Sequence, residues 1–175
     1  MSYQLRVLKD HPIGFWPLDE SSGTTAYDLS SCGNNAVYSS ANSTNKMPLV
    51  SGGTTATKID STRSITYTVN NDYRGLTGNG SFGTSYSSDN DFSLECWYYP
   101  LNINTEYQTL LGDSSYCAIM ANNTNIKFKL ENESLEYTLP FNNKNIHVVA
   151  TYHPDKISLY INGKLAAFKS IDTYK

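Results

Sequence analysis

HVVATYHPDKISLYINGKLAAF, residues His147–Phe168, contains three strand patterns in direct succession. Apolar residues alternate with more polar residues over the first two of these patterns, and a third short run follows. This period of two is typical of strands that bury one face and expose the other. The alternating apolar positions are Val148, Ala150, Tyr152, Ile157, Leu159 and Ile161.

Two turn signals separate the three strand patterns. The first is His153–Lys156, where Pro154 presets the backbone φ angle that a turn requires. The second is Asn162-Gly163, which predicts a type I′ turn because both residues tolerate a positive φ. The segment therefore predicts a three-stranded antiparallel meander.

Further strand patterns recur along the chain at intervals of about 8–12 residues, which is the spacing of all-β sandwiches. A helical turn is predicted before them, over residues 2–9, with Ser2 as its N-cap and Pro12 beyond its end. The fold predicted is an all-β, two-sheet antiparallel jelly-roll sandwich. Its remaining strands are predicted at residues 13–18, 36–38, 58–70, 92–99, 107–112, 116–121, 126–130 and 135–139.

Three sequence blocks resemble the laminin-G-like, concanavalin-A-like jelly rolls. They are IGFWPLDESSGTTAYDLSSCGNNAVY at Ile13–Tyr38, FSLECWYYP at Phe92–Pro100, and the His147–Phe168 segment. The N-terminal VLKDHPIGFWPLDESSGTTAYD also resembles modules of this kind in tailed-phage virion proteins, in the tail or associated with the capsid. The resemblance implies a non-catalytic recognition or adhesion module of a virion structural protein that contacts host-surface glycan. The alternatives are a structural or decoration module that mediates subunit contacts, and a glycan-active enzyme of the same fold.

The resemblance divides the chain into an N-terminal arm at 1–12, a jelly roll at 13–169 and a C-terminal end at 170–175. Family members continue past the Asn-Gly hairpin into a closing strand that pairs beside the N-terminal strand, and this sequence stops at Lys175. We therefore expect an open sheet edge at Ile13–Leu18, because a sheet edge without a partner invites pairing with another chain. The expected partners are other virion subunits or further copies of the same chain. The alternatives are a distal part of the same polypeptide and the chain's own rearranged arm.

Composition excludes several classes of protein. The chain of 175 residues has 13 basic and 16 acidic residues, a net charge of −3, and no basic cluster, so nucleic-acid binding is not expected. No run of about 18 apolar residues is present, so membrane insertion is not expected. The start, MSYQLRVLKDHP, lacks the apolar region of a signal peptide, which agrees equally with a virion protein assembled in the host cytoplasm and with an intracellular protein.

One sheet face is a candidate ligand site. In Phe92–Tyr99 the alternation places Glu95, Trp97 and Tyr99 on the face opposite Phe92, and Tyr160 is expected to share that outer face. Aromatic rings beside a carboxylate suit sugar stacking and hydroxyl hydrogen bonding. The alternative is that loops or a partner chain cover this face.

The loop after Tyr27 is the candidate metal site. Asp28, Asn34 and Asn35 lie around Gly33 and could offer the oxygen ligands that Ca²⁺ prefers, and relatives of this fold hold a structural Ca²⁺ at a similar loop. Cys32 interrupts the family pattern. The alternative is an Asx-type turn in which Asp28 caps its own loop.

Catalysis is not expected. Glu131, Glu133 and Glu136 superficially resemble the strand motif of laminarinase-type hydrolases, but Glu131–Ser134 is predicted to be a hairpin turn that places these side chains in water. A retaining glycosidase needs two carboxylates about 5 Å apart on one strand face. The three histidines have no metal-ligand spacing, and Cys96 and Cys117 are expected to be small buried residues.

Overall fold

The computed structural model of the chain describes residues 2–18, 20, 24–39, 75–78, 91–98, 106–113, 116–140 and 145–172. It divides into two compact units, Met1–Thr84 and Ser85–Lys175. The helix is α1 at Tyr3–Lys9. The strands are β1 Thr25–Ala26, β2 Ala36–Ser39, β3 Gly75–Gly78, β4 Phe92–Tyr98, β5 Gln108–Asp113, β6 Cys117–Ala121, β7 Asn125–Leu130, β8 Glu133–Thr138, β9 Ile146–His153, β10 Lys156–Ile161 and β11 Lys164–Ser170.

The helix predicted in the N-terminal arm is confirmed. The side-chain oxygen of Ser2 accepts a hydrogen bond from the Leu5 backbone N–H, and the backbone of Ser2 is extended, as at an N-cap. At the other end the Asp10 N–H donates to the Val7 carbonyl at 3.0 Å. In the described part of the chain, no helix is long and apolar enough to cross a membrane.

The first unit contains a three-stranded sheet in the order β1-β2-β3. Strands β1 and β2 are antiparallel, and the buried side chains of Ala26 and Ala36 lie opposite each other. Trp16 and Leu18 pack against this alanine pair. The strand predicted at residues 58–70 lies outside the described residues.

The prediction of a strand at Ile13–Leu18 is wrong. This segment pairs with no strand in the described part of the chain, and it is fixed by separate contacts to the loop that follows β1. The Leu29 N–H donates to the Phe15 carbonyl at 2.8 Å. Pro17 has no backbone N–H for a strand hydrogen bond, and the φ of Leu18, 58°, is not that of a strand. The expectation that another chain pairs with a strand edge here therefore loses its basis.

The second unit is a sandwich of two antiparallel four-stranded sheets, which confirms the predicted fold class. One sheet, called here the β4 sheet, has the order β11-β10-β9-β4, and the other has the order β5-β6-β7-β8. Inward side chains of both sheets form one hydrophobic core. Its buried members are Cys117, Ile119, Ala121, Ile126, Phe128, Leu130, Leu139, Ile146, Val148, Ala150, Tyr152, Ile157, Leu159 and Ile171.

The meander predicted for His147–Phe168 is confirmed. His153 pairs with Lys156 across a two-residue turn, and Ile161 pairs with Lys164 across the next one. Asn162 has a φ of 50° and Gly163 a φ of 75°, the positive values that a type I′ turn requires at both central positions.

Replacing Asn162 and Gly163 together with valine is expected to destabilise the protein by about 2–6 kcal/mol, because a β-branched residue at positive φ is strained at each position. Thermal unfolding of the full chain measures the loss. Asn162→Gly is the matched control, because glycine adopts the same φ without strain. A double valine variant with the same melting temperature as the control would contradict the type I′ turn.

A β-bulge interrupts the pairing of β10 with β11. Leu159 lies opposite Ala167 and Tyr160 lies opposite Leu165, so Ala166 is an extra residue on β11. Because directly opposite residues share a sheet face, the bulge changes which side chains of β11 point outward.

The turn between β7 and β8 is tighter than predicted. Leu130 pairs with Glu133, so Glu131 and Asn132 alone form the turn, and Glu131 has a φ of 50°. The prediction that Glu133 and Ser134 belong to the turn is wrong, because their backbone groups continue the ladder with β7.

Candidate functional site

The alternation of β4 places Glu95 and Trp97 on the outer face of the β4 sheet, as predicted. The intervening residues of β4 pack against the core. Cys96 is one of them, and burial, with a smaller effect of the Glu95 carboxylate, raises the pKa of its thiol to about 12. A thiol of this kind stays protonated at neutral pH and acts as a small apolar residue, as predicted for Cys96.

Register across the β4 sheet adds residues from its other strands to this face. Trp97 lies opposite His147 on β9, and Glu95 lies opposite Val149. Val149 in turn lies opposite Tyr160 on β10. Glu95, Trp97 and Tyr160 therefore share one face, as the alternation predicts, whereas Tyr99 lies outside the described residues.

His147 joins Glu95 and Trp97 in a compact polar-aromatic cluster. The imidazole and indole centroids are 4.8 Å apart with an interplanar angle of 33°, and His147 Nε2 lies 2.8 Å from Glu95 Oε1. Trp97 remains 42% exposed, so the cluster presents aromatic surface to solvent. Sequence reasoning did not select His147, although its outward position in the strand pattern was a usable signal.

Asn162 fixes the beginning of β9, where His147 lies. The Asn162 N–H donates to the His147 carbonyl at 2.9 Å, and the His147 N–H donates to Asn162 Oδ1 at 3.0 Å. The turn between β10 and β11 thus holds the backbone that carries the imidazole. The arrangement can accept and donate hydrogen bonds beside an aromatic ring, which is chemistry suited to a polyhydroxylated ligand.

The candidate metal loop is organised around the buried carboxylate of Asp28. Oδ1 accepts hydrogen bonds from the Phe15 and Ser30 N–H groups, each at 2.8 Å. Oδ2 accepts from the Ser30 hydroxyl and the Asn34 N–H, each also at 2.8 Å. Burial by itself would raise the pKa of Asp28, but these four hydrogen bonds lower it below the ordinary value.

The other two predicted Ca²⁺ ligands are also engaged within the loop. Asn35 Oδ1 accepts from the Asp28 N–H at 3.0 Å, and the Asn34 carbonyl accepts from the Trp16 indole at 2.9 Å. This geometry agrees with the alternative of an Asx-type turn, since a Ca²⁺ ion would have to replace hydrogen-bond donors at Asp28. In the described ranges, no cluster of three or more His, Cys, Asp or Glu is arranged for a metal.

The glutamates of the β7–β8 hairpin do not form a pair on one strand face. Glu133 and Glu136 are three residues apart on β8, so their side chains point to opposite faces. Glu133 Oε2 lies 2.6 Å from Lys169 Nζ, and Glu136 Oε1 lies 2.7 Å from Lys127 Nζ. The hydrogen bond from Lys127 lowers the pKa of Glu136, which is opposite to the shift that a general acid requires.

Three comparisons with known proteins were made, and the family model supports the sandwich. A search of curated proteins finds no match. A crystal structure of a candidate carbohydrate-binding protein from Bacteroides ovatus ATCC 8483 is similar with a TM-score of 0.41 and 18% identity, and the match covers 49% of this chain and 28% of that one. Residues 74–174, more than half of the chain, match the family model of the concanavalin A-like lectin/glucanases superfamily. The chain therefore belongs to this superfamily of lectin-like and glucanase-like domains.

Proposed function

We propose that the chain is a non-catalytic glycan-binding module of a virion structural protein. The observation that carries the glycan site is the half-exposed indole of Trp97, packed on His147 beside the Glu95 carboxylate on an outer sheet face. The virion assignment and the host-surface ligand rest on the resemblance of the N-terminal block to phage modules. The superfamily of the chain, which includes lectins, supports the carbohydrate assignment.

The cluster offers both kinds of contact that a sugar needs. The exposed indole of Trp97 presents an apolar plane to the C–H face of a pyranose ring. Glu95 accepts hydrogen bonds from sugar hydroxyls, and the His147 ring both orients that carboxylate and offers a polar nitrogen. Because these groups stand on paired strands of a sheet, the strand ladder holds them in place.

The proposal that the module is non-catalytic is supported by the β8 carboxylates. Glu133 and Glu136 face opposite sides of the strand, and each is bound to a lysine. A retaining mechanism requires two carboxylates converging on one bond, with the pKa of the acid raised.

Replacing Trp97 with alanine is expected to weaken glycan binding about tenfold or more, because the stacking plane is lost. A glycan array of β-glucans, chito-oligosaccharides and bacterial cell-wall glycans identifies the ligand, and calorimetry measures the change. Tyr116→Ala is the matched control, since Tyr116 is 63% exposed and lies outside the β4 sheet. Circular dichroism verifies that both variants fold.

Three outcomes would contradict the proposal. Absence of binding to any array glycan would favour a purely structural or decoration module, and undiminished binding by Trp97→Ala would place the site elsewhere. Release of reducing sugar that Glu136→Gln abolishes would identify the chain as an enzyme.

A further inference from the structure

Strand β11 is an edge strand whose length invites pairing with another chain. In the described part of the chain, β10 is the one strand that pairs with β11, at the end of the order β11-β10-β9-β4. Its seven residues, Lys164–Ser170, make it longer than most strands, which have about 5–6 residues. The backbone N–H and C=O groups on the outer side of such a strand form a template for a strand of a second chain.

The side chains of β11 add to this liability. Leu165 is 54% exposed and Phe168 is 61% exposed. They lie opposite Tyr160 and Ser158, two residues on one face of β10, so the bulge places both large apolar side chains outward. A long and flat edge strand with such side chains is a site where chains aggregate.

The bulge at Ala166 interrupts the template. Ala166 is the extra residue of β11 in its pairing with β10. A bulge bends its strand and increases the local twist, which disturbs the regular spacing of the outer backbone groups. The regular runs on either side have two residues, Lys164 and Leu165, and four residues, Ala167–Ser170. Neither run reaches the usual length of a strand.

Lys169 protects the longer of these two runs. It lies opposite Ile157, a fully buried core residue, so its side chain points to the inner face of the sheet. There its Nζ lies 2.6 Å from Glu133 Oε2 on β8, at the end of the other sheet. A strand added beside β11 would cover this half-exposed ammonium group, and burying a charge is costly. An inward charge on an edge strand therefore opposes the addition of a strand.

We propose that the Ala166 bulge and the inward Lys169 together prevent β11 from pairing with a strand of a second copy of the chain. The excluded partner is β11 of another copy, which would present the same edge across a two-fold axis. The inference concerns the edge of the β4 sheet rather than the Trp97 cluster, so it does not depend on the proposed glycan-binding function.

Deletion of Ala166 tests the inference, because it removes the bulge while all six pairs between β10 and β11 can remain in place. Sedimentation velocity over a range of protein concentrations measures self-association of the full chain. The proteins compared are the wild type, the deletion variant, Lys169→Val and the combination of the two changes. We expect the self-association constant to rise severalfold in each single variant and about tenfold or more in the combined variant.

Two controls distinguish strand pairing from other causes of association. Lys156→Val makes the same substitution at an exposed position of β10, which has a partner strand on each side, and should sediment as the wild type does. Phe168→Ser, added to the combined variant, should leave most of its association, because backbone hydrogen bonds carry it. Amide hydrogen exchange should show that the β11 N–H groups facing away from β10 become protected on association.

Four outcomes overturn the inference. The first is a combined variant that folds by circular dichroism and associates no more than the wild type. The second is association that Phe168→Ser abolishes, because apolar side chains rather than strand pairing would then carry it. The third is protection of the outer β11 N–H groups in the wild type, since the edge would already be paired. If the deletion variants do not fold, Lys169→Val is decisive, and unchanged association in that variant is the fourth.

Discussion

Gly112→Ala is expected to destabilise the Ser85–Lys175 unit by about 3 kcal/mol or more. Gly112 lies on β5 opposite Ala118, and its φ is +105°. A Cβ at this position would overlap the backbone carbonyl of Cys117 and lie 2.9 Å from Ala118 Cα. Both obstacles are backbone atoms of β6, so relief requires the two strands to separate.

Urea unfolding of the full chain measures this loss, and Gly163→Ala is its control. Gly163 also has a positive φ, at +75°, but a Cβ there meets nothing within 4 Å. The control should lose only the strain of an L-residue in the left-handed region, about 1–2 kcal/mol. Equal losses in the two variants would show that β5 and β6 are not as close as described.

Asp28→Ala is expected to destabilise the Met1–Thr84 unit by about 3 kcal/mol, because it leaves four part-buried donor groups without their acceptor. The pKa of Asp28 is lowered in the folded state. Its stabilisation is therefore complete above the unfolded-state pKa of about 3.9 and is lost as pH falls through the lower folded value. The free energy of unfolding, measured between pH 7 and pH 2, should show this acid-dependent loss in the wild type and a smaller loss in Asp28→Ala.

Asp172→Ala, at an exposed carboxylate near the chain end, is the control for this effect. Asp28→Asn retains one oxygen acceptor, so its stability should lie between those of the wild type and Asp28→Ala.

The same variants test the Ca²⁺ prediction, since binding to the native state alone raises its stability. Equal melting temperatures in millimolar Ca²⁺ and in excess chelator would identify the loop as a turn alone, whereas a Ca²⁺-dependent rise that Asp28→Ala removes would identify a metal site.

The strands of the second unit could be predicted because their signals are local. The alternation around Val148 and Ile157 fixes which side chains are buried, and the two-residue turns fix the register between consecutive strands. The outward positions of Glu95 and Trp97 follow from the same alternation on β4. A sequence pattern was therefore sufficient to predict strands, buried faces and register wherever residues close in sequence determine them.

Other features depend on contacts between distant residues and could not be predicted. Ile13–Leu18 has the apolar composition of a strand, but its partners are the Asp28 loop rather than a sheet. The contact of Trp97 with His147 depends on the pairing of strands that are far apart in sequence. The bulge at Ala166 leaves no local signal, and the spacing of Leu165 and Phe168 predicts opposite faces.

The alternation along β9 has a consequence for how such a module can change during evolution. Its inward residues, such as Val148 and Ala150, are fully buried, so packing constrains them closely. Its outward residues, such as Val149 and Thr151, contribute to a surface and are released from that constraint. A lineage that meets new ligands can therefore exchange the outward side chains one at a time, while the sequence signature of the fold persists in the inward ones.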